Sequence, residues 1–183
     1  MRRHRPRRKA LRALLNRAAV AMILREVGGE CEILMIKRAE REGDPWSGHM
    51  AFPGGRMDPE DRHGFDVALR ETEEEIGLRL TDGDPCLGRL SEIMTHFQWR
   101  RRAMVVSPYV FHLDREVEFS INYEVSEVLW VPLSFLLNPD NRETMTWSRR
   151  GVEIPLPCYM YEGRRIWGLS LMMLGELLDI LRP

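Results

Sequence analysis

Long apolar runs are missing from this sequence. No stretch of 18 consecutive apolar residues occurs among its 183 residues, so the roughly 20 apolar residues of a membrane-spanning helix are not there. The N-terminal region also lacks the apolar core of a secretory signal peptide. We therefore expect a cytoplasmic protein that does not cross a membrane. Its length and its 44% of apolar residues suit one domain with a single good core.

Cysteine is scarce. The three cysteines, Cys31, Cys86 and Cys158, are odd in number and far apart, and their spacings match no zinc or redox motif. A disulfide framework and a cysteine-based metal site are therefore excluded as organising features. We expect reduced, buried thiols of the kind found in cytosolic proteins.

Acidic residues are absent from the first 19 positions, which carry eight arginines and lysines. Because the formal net charge is −1, the rest of the chain carries about −9. We favour a basic helical extension, residues 1–17, whose Leu11, Leu14 and Leu15 pack on the domain that follows. Two alternatives stay open: an arm that attracts phosphate-bearing ligands or nucleic acid, and an arginine-rich presequence for an organelle.

A glutamate-rich helix is the most informative element of the chain. Its apolar positions recur at the period of one helical face: Phe65, Leu69, Thr72 and Ile76. The helix is expected to begin near His63 or Gly64. It is expected to end at Gly77, because glycine suits the left-handed cap of a helix.

Three glutamates of this helix fall within one arc beside the apolar stripe. At about 100° per residue, Glu71, Glu74 and Glu75 share the arc, whereas Glu73 points elsewhere. Like charges at these spacings destabilise a helix, and Arg70 offsets only part of the repulsion. A bound divalent cation would turn repulsion into attraction, because magnesium is held by a few carboxylates and bridges to substrate phosphates. The alternative is a face that contacts only solvent.

The residues around these glutamates resemble the signature of the Nudix hydrolases. That signature runs Gly, five residues, Glu, seven residues, then Arg-Glu-apolar-x-Glu-Glu-x-Gly-apolar. Here Gly55 opens it and residues 70–78 close it, with Thr72 at an apolar position. Asp61 stands in the place of the first glutamate, and the loop after it is one residue longer. The resemblance implies an α/β fold, a Nudix-type α/β/α sandwich with a mixed β-sheet, over residues 18–183.

The resemblance also implies an enzyme that uses Mg²⁺ or Mn²⁺ and water to cleave a nucleoside diphosphate linked to another moiety. The metal ligands that it implies are Glu71, Glu74, Glu75 and the carbonyl of Gly54. Glycine at position 54 lets the backbone approach a metal or phosphate closely. Arg70 would orient the glutamates by charge-assisted hydrogen bonds. The candidates for the general base are Glu74, Glu124 and Glu127.

The stretch before the signature resembles the additional motif of the coenzyme A pyrophosphatases, which runs Leu-Leu-Thr-x-Arg-Ser, an Arg, and Gly-x-x-x-Phe-Pro-Gly-Gly. Arg38, Gly48 and residues 52–55 match it, while Ile36 and Ala39 replace its Thr and Ser. A coenzyme A-type substrate is therefore favoured. Such a substrate needs cations for its phosphates and an aromatic side chain for adenine, which Trp46, Phe97 or Trp99 could supply. The substrate-binding residues that we predict are Arg38, Gly55, Lys37 and Trp46.

Other functions stay open. The substrate could be a nucleoside diphosphate sugar or ADP-ribose, or, on the sole support of the basic arm, capped RNA or a damaged nucleotide. A non-catalytic Nudix-like module that binds nucleotides or RNA should have lost a signature glutamate, and none is missing. We expect a small nucleoside diphosphate-linked substrate rather than nucleic acid as the partner. The resemblance alone leaves room for a homodimer.

Apolar runs and turn residues give the remaining elements. Gly28 and Gly29 mark a hairpin turn, and Pro132 suits the start of a short helix. A hairpin arm or edge strand is predicted for residues 152–161, because its prolines disfavour central pairing. The predicted strands before it are 18–27, 31–36, 50–52, 86–94 and 103–113, the last interrupted at Pro108. The final helix, 166–181, is expected to bury Leu169, Met172 or Met173, Leu177 and Ile180.

Overall fold

The computed structural model of the chain describes residues 4–9, 15–44, 46–95, 103–149 and 151–182. The strands in these ranges are β1 (Asn16–Val27), β2 (Glu30–Arg38), β3 (Met50–Ala51), β4 (Gly54–Arg56), β5 (Cys86–Arg89), β6 (Ile93–Thr95), β7 (Met104–His112), β8 (Val125–Pro132), β9 (Arg142–Arg149), β10 (Val152–Tyr161) and β11 (Arg164–Trp167). The helices are α1 (Gly64–Ile76), α2 (Leu133–Leu137) and α3 (Gly168–Leu181).

Strand β1 lies at the centre of an eight-stranded sheet. It pairs parallel with β7, and it pairs antiparallel with β2 through the turn at Gly28 and Gly29, as the glycine pair predicts. Strands β5 and β6 pair with β7, and β8 pairs with β2. The sheet therefore combines parallel and antiparallel pairs, and the predicted mixed sheet is confirmed.

Alternate residues of β1 and β2 face two separate cores, because successive side chains of a strand point to opposite faces of the sheet. The core on the α1 side includes Ala21, Ile23, Leu34, Ile36, Val67, Ala68 and Ile76. The core on the α3 side includes Met22, Leu24, Ile33, Met35, Leu136, Leu174 and Leu177. Helices thus cover both faces of the sheet, which confirms the predicted α/β/α sandwich.

Strands β1 and β2 pair near their common turn and then separate. Beyond this point β4 pairs with residues 18–20 of β1, and β3 pairs with residues 36–37 of β2. The segment that contains the glycine pair at 54 and 55 is thereby inserted between the two central strands. The insertion opens one end of the sheet and brings these glycines beside the last turns of α1.

Two proline-containing strands differ from their predictions. Strand β7 runs unbroken through Pro108, and it is the predicted strand 86–94 that is interrupted, between β5 and β6. The carbonyl of Pro108 accepts a hydrogen bond from the N–H of Leu90 at 3.0 Å. Because N–H and C=O of one strand residue point to the same side, the N–H that proline lacks would face this interruption. The missing donor therefore costs no regular ladder hydrogen bond.

A second, three-stranded antiparallel sheet contains β9, β10 and β11, in which β10 is central. Pro155 and Pro157 pair only with β9, and β11 pairs only with residues 158–161. The predicted hairpin arm is therefore confirmed, whereas the edge-strand alternative holds only for the proline-containing half of β10. Helix α3 begins at Gly168 rather than Ile166, because residues 164–167 form β11. Its buried face includes Met173 and not Met172, which is 58% exposed.

The described part of the basic arm, residues 4–9, forms neither helix nor strand, so the helix expected there is wrong. Its backbone hydrogen bonds are made with the segment between β5 and β6. Arg7 N–H donates to Ser91 Oγ at 3.0 Å, and Lys9 N–H donates to the buried carboxylate of Glu92 at 2.7 Å. Leu11 and Leu14 lie outside the described residues, and Leu15 is half-buried. The domain boundary at residue 18 stays a prediction, although β1 already begins at Asn16.

All three cysteines are free thiols, as predicted, but only one of them is buried. Cys158 is buried, Cys31 is half-buried and Cys86 is exposed, so the expected burial is wrong for Cys86. In the described portions of the chain no helix is both long enough and apolar enough to span a bilayer.

Candidate active site

A cleft of about 1280 Å³ lies where β1 and β2 separate. Ligand pockets usually enclose about 300–1,000 Å³, so this cleft has room for a large nucleotide. One side, here called the carboxylate wall, consists of Gly54, Gly55, Glu71, Glu74 and Glu75. Another part, here called the apolar trench, consists of Val20, Met104, Val106, Leu169 and Met173. The loop before β3, the turn before β8 and strand β9 contribute further lining residues.

Both ends of helix α1 are fixed as the sequence predicts. At its start the N–H of His63 donates to the Asp66 carboxylate at 2.9 Å. At its end Gly77 is left-handed, with φ of 70°, and its N–H donates to the carbonyl of Glu73. Thr72, the departure at an apolar position, is fully buried and donates its hydroxyl to Ala68 O at 2.6 Å. These contacts fix both ends of the helix, and the burial of Thr72 fixes which face of the helix packs inside the domain.

Glu75 is the buried member of the carboxylate wall. It is only 2% exposed, and its Oε2 accepts the N–H of Gly54 at 2.9 Å. Burial raises the pKa of Glu75 to about 7, and the negative charge of Glu71 adds to the shift. The positive charge of Arg38 lowers this pKa by less than burial raises it, and a cation bound beside Glu75 would stabilise its charged form.

Glu71 lies against the glycine pair. A Cβ atom at Gly55 would come within 2.1 Å of Glu71 Oε1, so only glycine leaves room for this carboxylate. Burial raises the pKa of Glu71 even though Arg70 Nη1 donates to its Oε1 at 3.0 Å. Glu71 and Glu75 are therefore packed between α1 and β4, and the predicted ligand positions converge on one side of the cleft.

Arg70 connects the carboxylates around it. Its Nη1 also donates to Glu74 at 3.1 Å, and its Nη2 donates to Asp61 at 2.9 Å and to the carbonyl of Arg56 at 3.2 Å. These hydrogen bonds hold the pKa of Asp61 below its usual range. Asp61 does not line the large cleft. The signature position that departs from the family is thus bound to Arg70 and lies apart from Glu75.

The carboxylate wall fits a divalent cation by its chemistry. Among the described residues no three acidic, histidine or cysteine side chains already surround one point, since Glu71 and Glu74 each share an oxygen with Arg70. The donors are nevertheless hard oxygen ligands of the type that Mg²⁺ and Mn²⁺ take. Two of them are carboxylates whose pKa burial raises, and the space beside them is one that a Cβ at Gly55 would fill.

Only one of the two later base candidates reaches the cleft. Glu124 lines it, and its negative charge contributes to the raised pKa of both Glu71 and Glu75. Glu127 does not line the cleft, and its carboxylate accepts hydrogen bonds from Arg164, which lower its pKa. Glu74 lines the cleft, but its side chain is 54% exposed and is bonded to Arg70.

The predicted substrate-binding residues divide in the same way. Arg38, Gly55 and Trp46 line the cleft, whereas Lys37 does not. Arg38 Nη2 donates to Asp44 Oδ2 at 2.9 Å, and its buried Nε has no hydrogen-bond partner within the described ranges. Asp44 also accepts the N–H of Trp46 at 3.0 Å, which fixes the turn that carries this tryptophan. Lys37 follows the alternation of β2 and faces the opposite side of the sheet.

Comparison with known proteins identifies the family. Residues 15–149 match the family model described as NUDIX domain. The chain belongs to the Nudix hydrolase family. It is 32% identical over 174 residues to the human mitochondrial coenzyme A diphosphatase NUDT8, an alignment that covers 94% of this chain and 72% of that protein. It is 31% identical over 176 residues to the mouse protein of the same name, covering 94% and 81%.

A bacterial relative and a solved structure agree with this assignment. An uncharacterized Nudix hydrolase NudL of Photorhabdus laumondii is 30% identical over 145 residues, covering 79% of this chain and 74% of that protein. The Nudix domain of Shewanella oneidensis NrtR, solved with ADP ribose, shares the fold with a TM-score of 0.60 at 16% identity, covering 91% and 88%. The predicted resemblance to the Nudix family and its coenzyme A pyrophosphatase branch is confirmed, and the chain is a Nudix pyrophosphohydrolase.

Some lining residues of this Nudix cleft were not predicted from the sequence. Tyr123, Trp147 and Met173 all line it. Tyr123 directly precedes Glu124, so the search for a base could have found it. Trp147 gives no local signal, because its place at the cleft depends on how the second sheet packs. The aromatic candidates Phe97 and Trp99 lie outside the described residues.

Proposed function

We propose that this Nudix enzyme is a metal-dependent pyrophosphohydrolase of coenzyme A or a coenzyme A-type compound. The observation that carries the proposal is a single cleft that joins the carboxylate wall to the apolar trench. The pyrophosphate of such a substrate suits the carboxylate wall, and its long, uncharged pantetheine arm suits the apolar trench. Relatives named coenzyme A diphosphatases, which align with 94% of this chain, support the proposal.

The trench is the feature that favours coenzyme A over the alternatives. Its five residues are valine, leucine and methionine side chains, which offer the hydroxyl groups of a sugar no hydrogen-bond partner. The methyl and methylene groups of a pantetheine arm would lose apolar surface to such a lining, while its amides and hydroxyl would need polar partners elsewhere in the cleft. The pyrophosphate of a nucleoside diphosphate sugar or of ADP-ribose would contact the carboxylate wall, but the polar sugar would lie against the trench.

The proposed reaction adds water across the pyrophosphate. The water oxygen bonds to one phosphorus, and the bond from that phosphorus to the bridging oxygen breaks. The bridging oxygen leaves on the other phosphate, and the proton of the water passes to a carboxylate. Coenzyme A and water would give 3′,5′-ADP and 4′-phosphopantetheine.

The carboxylate wall supplies the proposed cation site. Nudix hydrolases in general need divalent metal ions, and Mg²⁺ or Mn²⁺ bound here would offset charge that develops on the pyrophosphate oxygens. Glu71, Glu74, Glu75 and the carbonyl of Gly54 would hold the ion. Arg70 would act as a positioning residue, because its hydrogen bonds fix two of these glutamates.

Glu124 is the base that the geometry supports. It lies in the cleft and close enough to Glu71 and Glu75 for its charge to shift their pKa values. Arg41 Nη1 lies 3.5 Å from its Oε1, which leaves the other oxygen for water. Arg38, which lines the cleft, is proposed to contact a substrate phosphate through its guanidinium, and Trp46 is proposed to pack on the substrate. Lys37 is left out of the proposal, since it does not line the cleft.

A product screen tests the substrate. Purified protein is incubated with coenzyme A, ADP-ribose, ADP-glucose, GDP-mannose and capped RNA, each with Mg²⁺ and with Mn²⁺, and the products are separated by chromatography. We expect 3′,5′-ADP and 4′-phosphopantetheine from coenzyme A, at a kcat/KM well above that for the other compounds. Faster release of AMP or GMP from the sugar compounds, with coenzyme A intact, would overturn the assignment.

A further inference from the structure

Tyr123 presents an aromatic ring at the edge of the cleft. The residue is 78% exposed, and it lines the cleft between Asn122 and Glu124. Large aromatic side chains usually gain stability from burial, which this ring does not have. An exposed ring that borders a ligand cleft offers an open face to a planar group.

The backbone on either side of Tyr123 is held firmly. The N–H of Asn122 donates to the carbonyl of Glu75 at 3.0 Å, which ties the turn to the last turn of α1. The side chain of Asn122 accepts the N–H of Glu124 at 2.8 Å, and the carbonyl of Glu124 accepts the N–H of Ala39 at 2.8 Å. Little backbone freedom in residues 122–124 therefore remains to be lost when a ligand contacts the ring.

Arg41 supports the ring from one side. Its Cζ lies 4.7 Å from the ring centroid of Tyr123, within the range of a cation–π contact. Its Nη2 donates to the carbonyl of Tyr123 at 3.4 Å, and its Nη1 lies 3.5 Å from Glu124. The guanidinium is thus fixed in place, and a positive charge lies beside the ring where a phosphate of a nucleotide would follow its base.

The ring of Tyr123 belongs to the part of the cleft that contains Glu124, on the other side of strand β1 from Met104 of the apolar trench. Tyr123 directly precedes Glu124, whose charge acts on Glu71 and Glu75. The turn that carries it leads into β8, beyond β2, whereas Met104 of the apolar trench begins β7, on the far side of β1. A base near Tyr123 and an uncharged arm in the trench would therefore lie on opposite sides of the glycine pair, with the pyrophosphate between them.

We propose that the exposed ring of Tyr123, backed by Arg41, is the surface on which the base of the nucleotide substrate stacks. The proposal deepens the proposed function and rests on it for the nucleotide. Stacking on an aromatic ring tolerates any base, because every base has a π face. The ring would therefore contribute affinity for the nucleotide half of the substrate and none for the pantetheine half.

The two products of coenzyme A hydrolysis allow the nucleotide half and the pantetheine half of the substrate to be tested separately. The dissociation constants of 3′,5′-ADP, which has the base, and of 4′-phosphopantetheine, which lacks it, are measured by calorimetry in Mg²⁺. We expect Tyr123→Ala to weaken binding of 3′,5′-ADP roughly five- to 150-fold, the equivalent of about 1–3 kcal/mol per stacked base. Binding of 4′-phosphopantetheine should change less than about twofold.

Two further variants serve as controls. Tyr123→Phe keeps the ring face and should bind 3′,5′-ADP like the wild type. Ile121→Ala removes an exposed neighbour that does not line the cleft, and it should leave both constants unchanged. Equal weakening of both products by Tyr123→Ala would indicate a disturbed turn and overturn the proposal. So would an unchanged constant for 3′,5′-ADP, or a base-selective loss in Trp46→Ala alone.

Failure of the proposed function would look different. If the wild type hydrolyses no coenzyme A, the same variants are titrated with AMP and GMP, which also carry a base. A loss of AMP and GMP affinity in Tyr123→Ala that Tyr123→Phe restores would keep the stacking role while the coenzyme A assignment falls. Unchanged AMP and GMP affinity in Tyr123→Ala would overturn the stacking role as well.

Discussion

The carboxylate wall and the rest of the cleft lining differ in how far apart their residues lie in the chain. The carboxylate wall comes from one stretch, residues 54–75, in which a strand, a loop and a helix follow one another. Other lining residues, Trp46, Tyr123, Trp147 and Met173, come from four separate elements. A wall built from one stretch carries its pattern in the sequence. A surface assembled from distant elements depends on packing that no local pattern encodes.

The largest effect is expected when the carboxylate wall loses its buried charge. Glu75→Gln should lower kcat/KM roughly a thousandfold or more, beyond the about 10–100-fold that partners of metal ligands contribute. Stability should be unchanged or higher, because glutamine accepts the Gly54 N–H without a buried charge. Steady-state kinetics and thermal unfolding measure the two effects. Glu73→Gln, an exposed change on the same helix, is the matched control, and full activity of Glu75→Gln would contradict the metal assignment.

The next largest effect is expected from a comparison of Glu124, which directly precedes β8, with Glu127, which lies within β8. Glu124→Gln should reduce kcat about a hundredfold, the lower end of what a general base contributes, with little change in KM. Glu127→Gln should retain kcat within about twofold, because this carboxylate pairs with Arg164 outside the cleft. The reverse order of the two kcat values would assign the base to Glu127.

The glycine pair offers a smaller test with opposite readouts. Gly55→Ala places its Cβ against the mobile carboxylate of Glu71, so we expect activity to fall about tenfold or more by misplacement, with little loss of stability. Gly54→Ala places its Cβ 2.3 Å from the backbone carbonyl of Ala19, so the free energy of unfolding should fall by about 1–3 kcal/mol or more. Kinetics and urea unfolding of both variants decide whether the two glycines have these separate roles.

Trp147 tests the part of the cleft lining outside the carboxylate wall. Trp147→Ala should raise KM for coenzyme A about fivefold, as for the loss of about 1 kcal/mol of apolar contact, and should leave kcat nearly unchanged. If Trp147 contacts the pantetheine arm, the KM for ADP-ribose, which has no such arm, should rise less. A fall in kcat with unchanged KM would instead connect this part of the lining to the chemistry.

The smallest effect on turnover is expected at Asp84, which does not line the cleft. Burial alone would raise the pKa of this carboxyl, but hydrogen bonds from Arg115 and Thr81 outweigh it and hold the pKa low. Its stabilisation is therefore complete above its unfolded pKa of about 3.9 and is lost as pH falls through the lower folded pKa. Asp84→Asn should lower the unfolding free energy by about 1.5–3 kcal/mol at pH 7.

This difference between wild type and Asp84→Asn should shrink as the pH approaches that of the folded pKa, while turnover at pH 7 stays the same. Urea unfolding at a series of pH values measures it. A difference that does not depend on pH would show that the charge of Asp84 is not the stabilising feature.

Local patterns predicted the elements whose stabilising contacts are close in sequence. Helix α1 with its cap at Gly77, the hairpin at Gly28 and Gly29, and the start of α2 after Pro132 all follow from neighbouring residues. The predictions that failed depended on distant partners. Residues 4–9 form no helix and bond instead to Ser91 and Glu92. Strand β7 passes through Pro108 because its neighbour is interrupted there.

The sequence by itself determined that three glutamates share one face of a capped helix beside a glycine pair, because helical periodicity and turn chemistry act over a few residues. Only the tertiary structure decided which of them is buried. Glu75 is covered by the inserted strand β4, while Glu74, one position before it, extends towards Arg70 and solvent. The same packing brought Glu124 and Tyr123 to the cleft and left Glu127 with Arg164, since burial and charge pairing depend on strands that meet only in the folded chain.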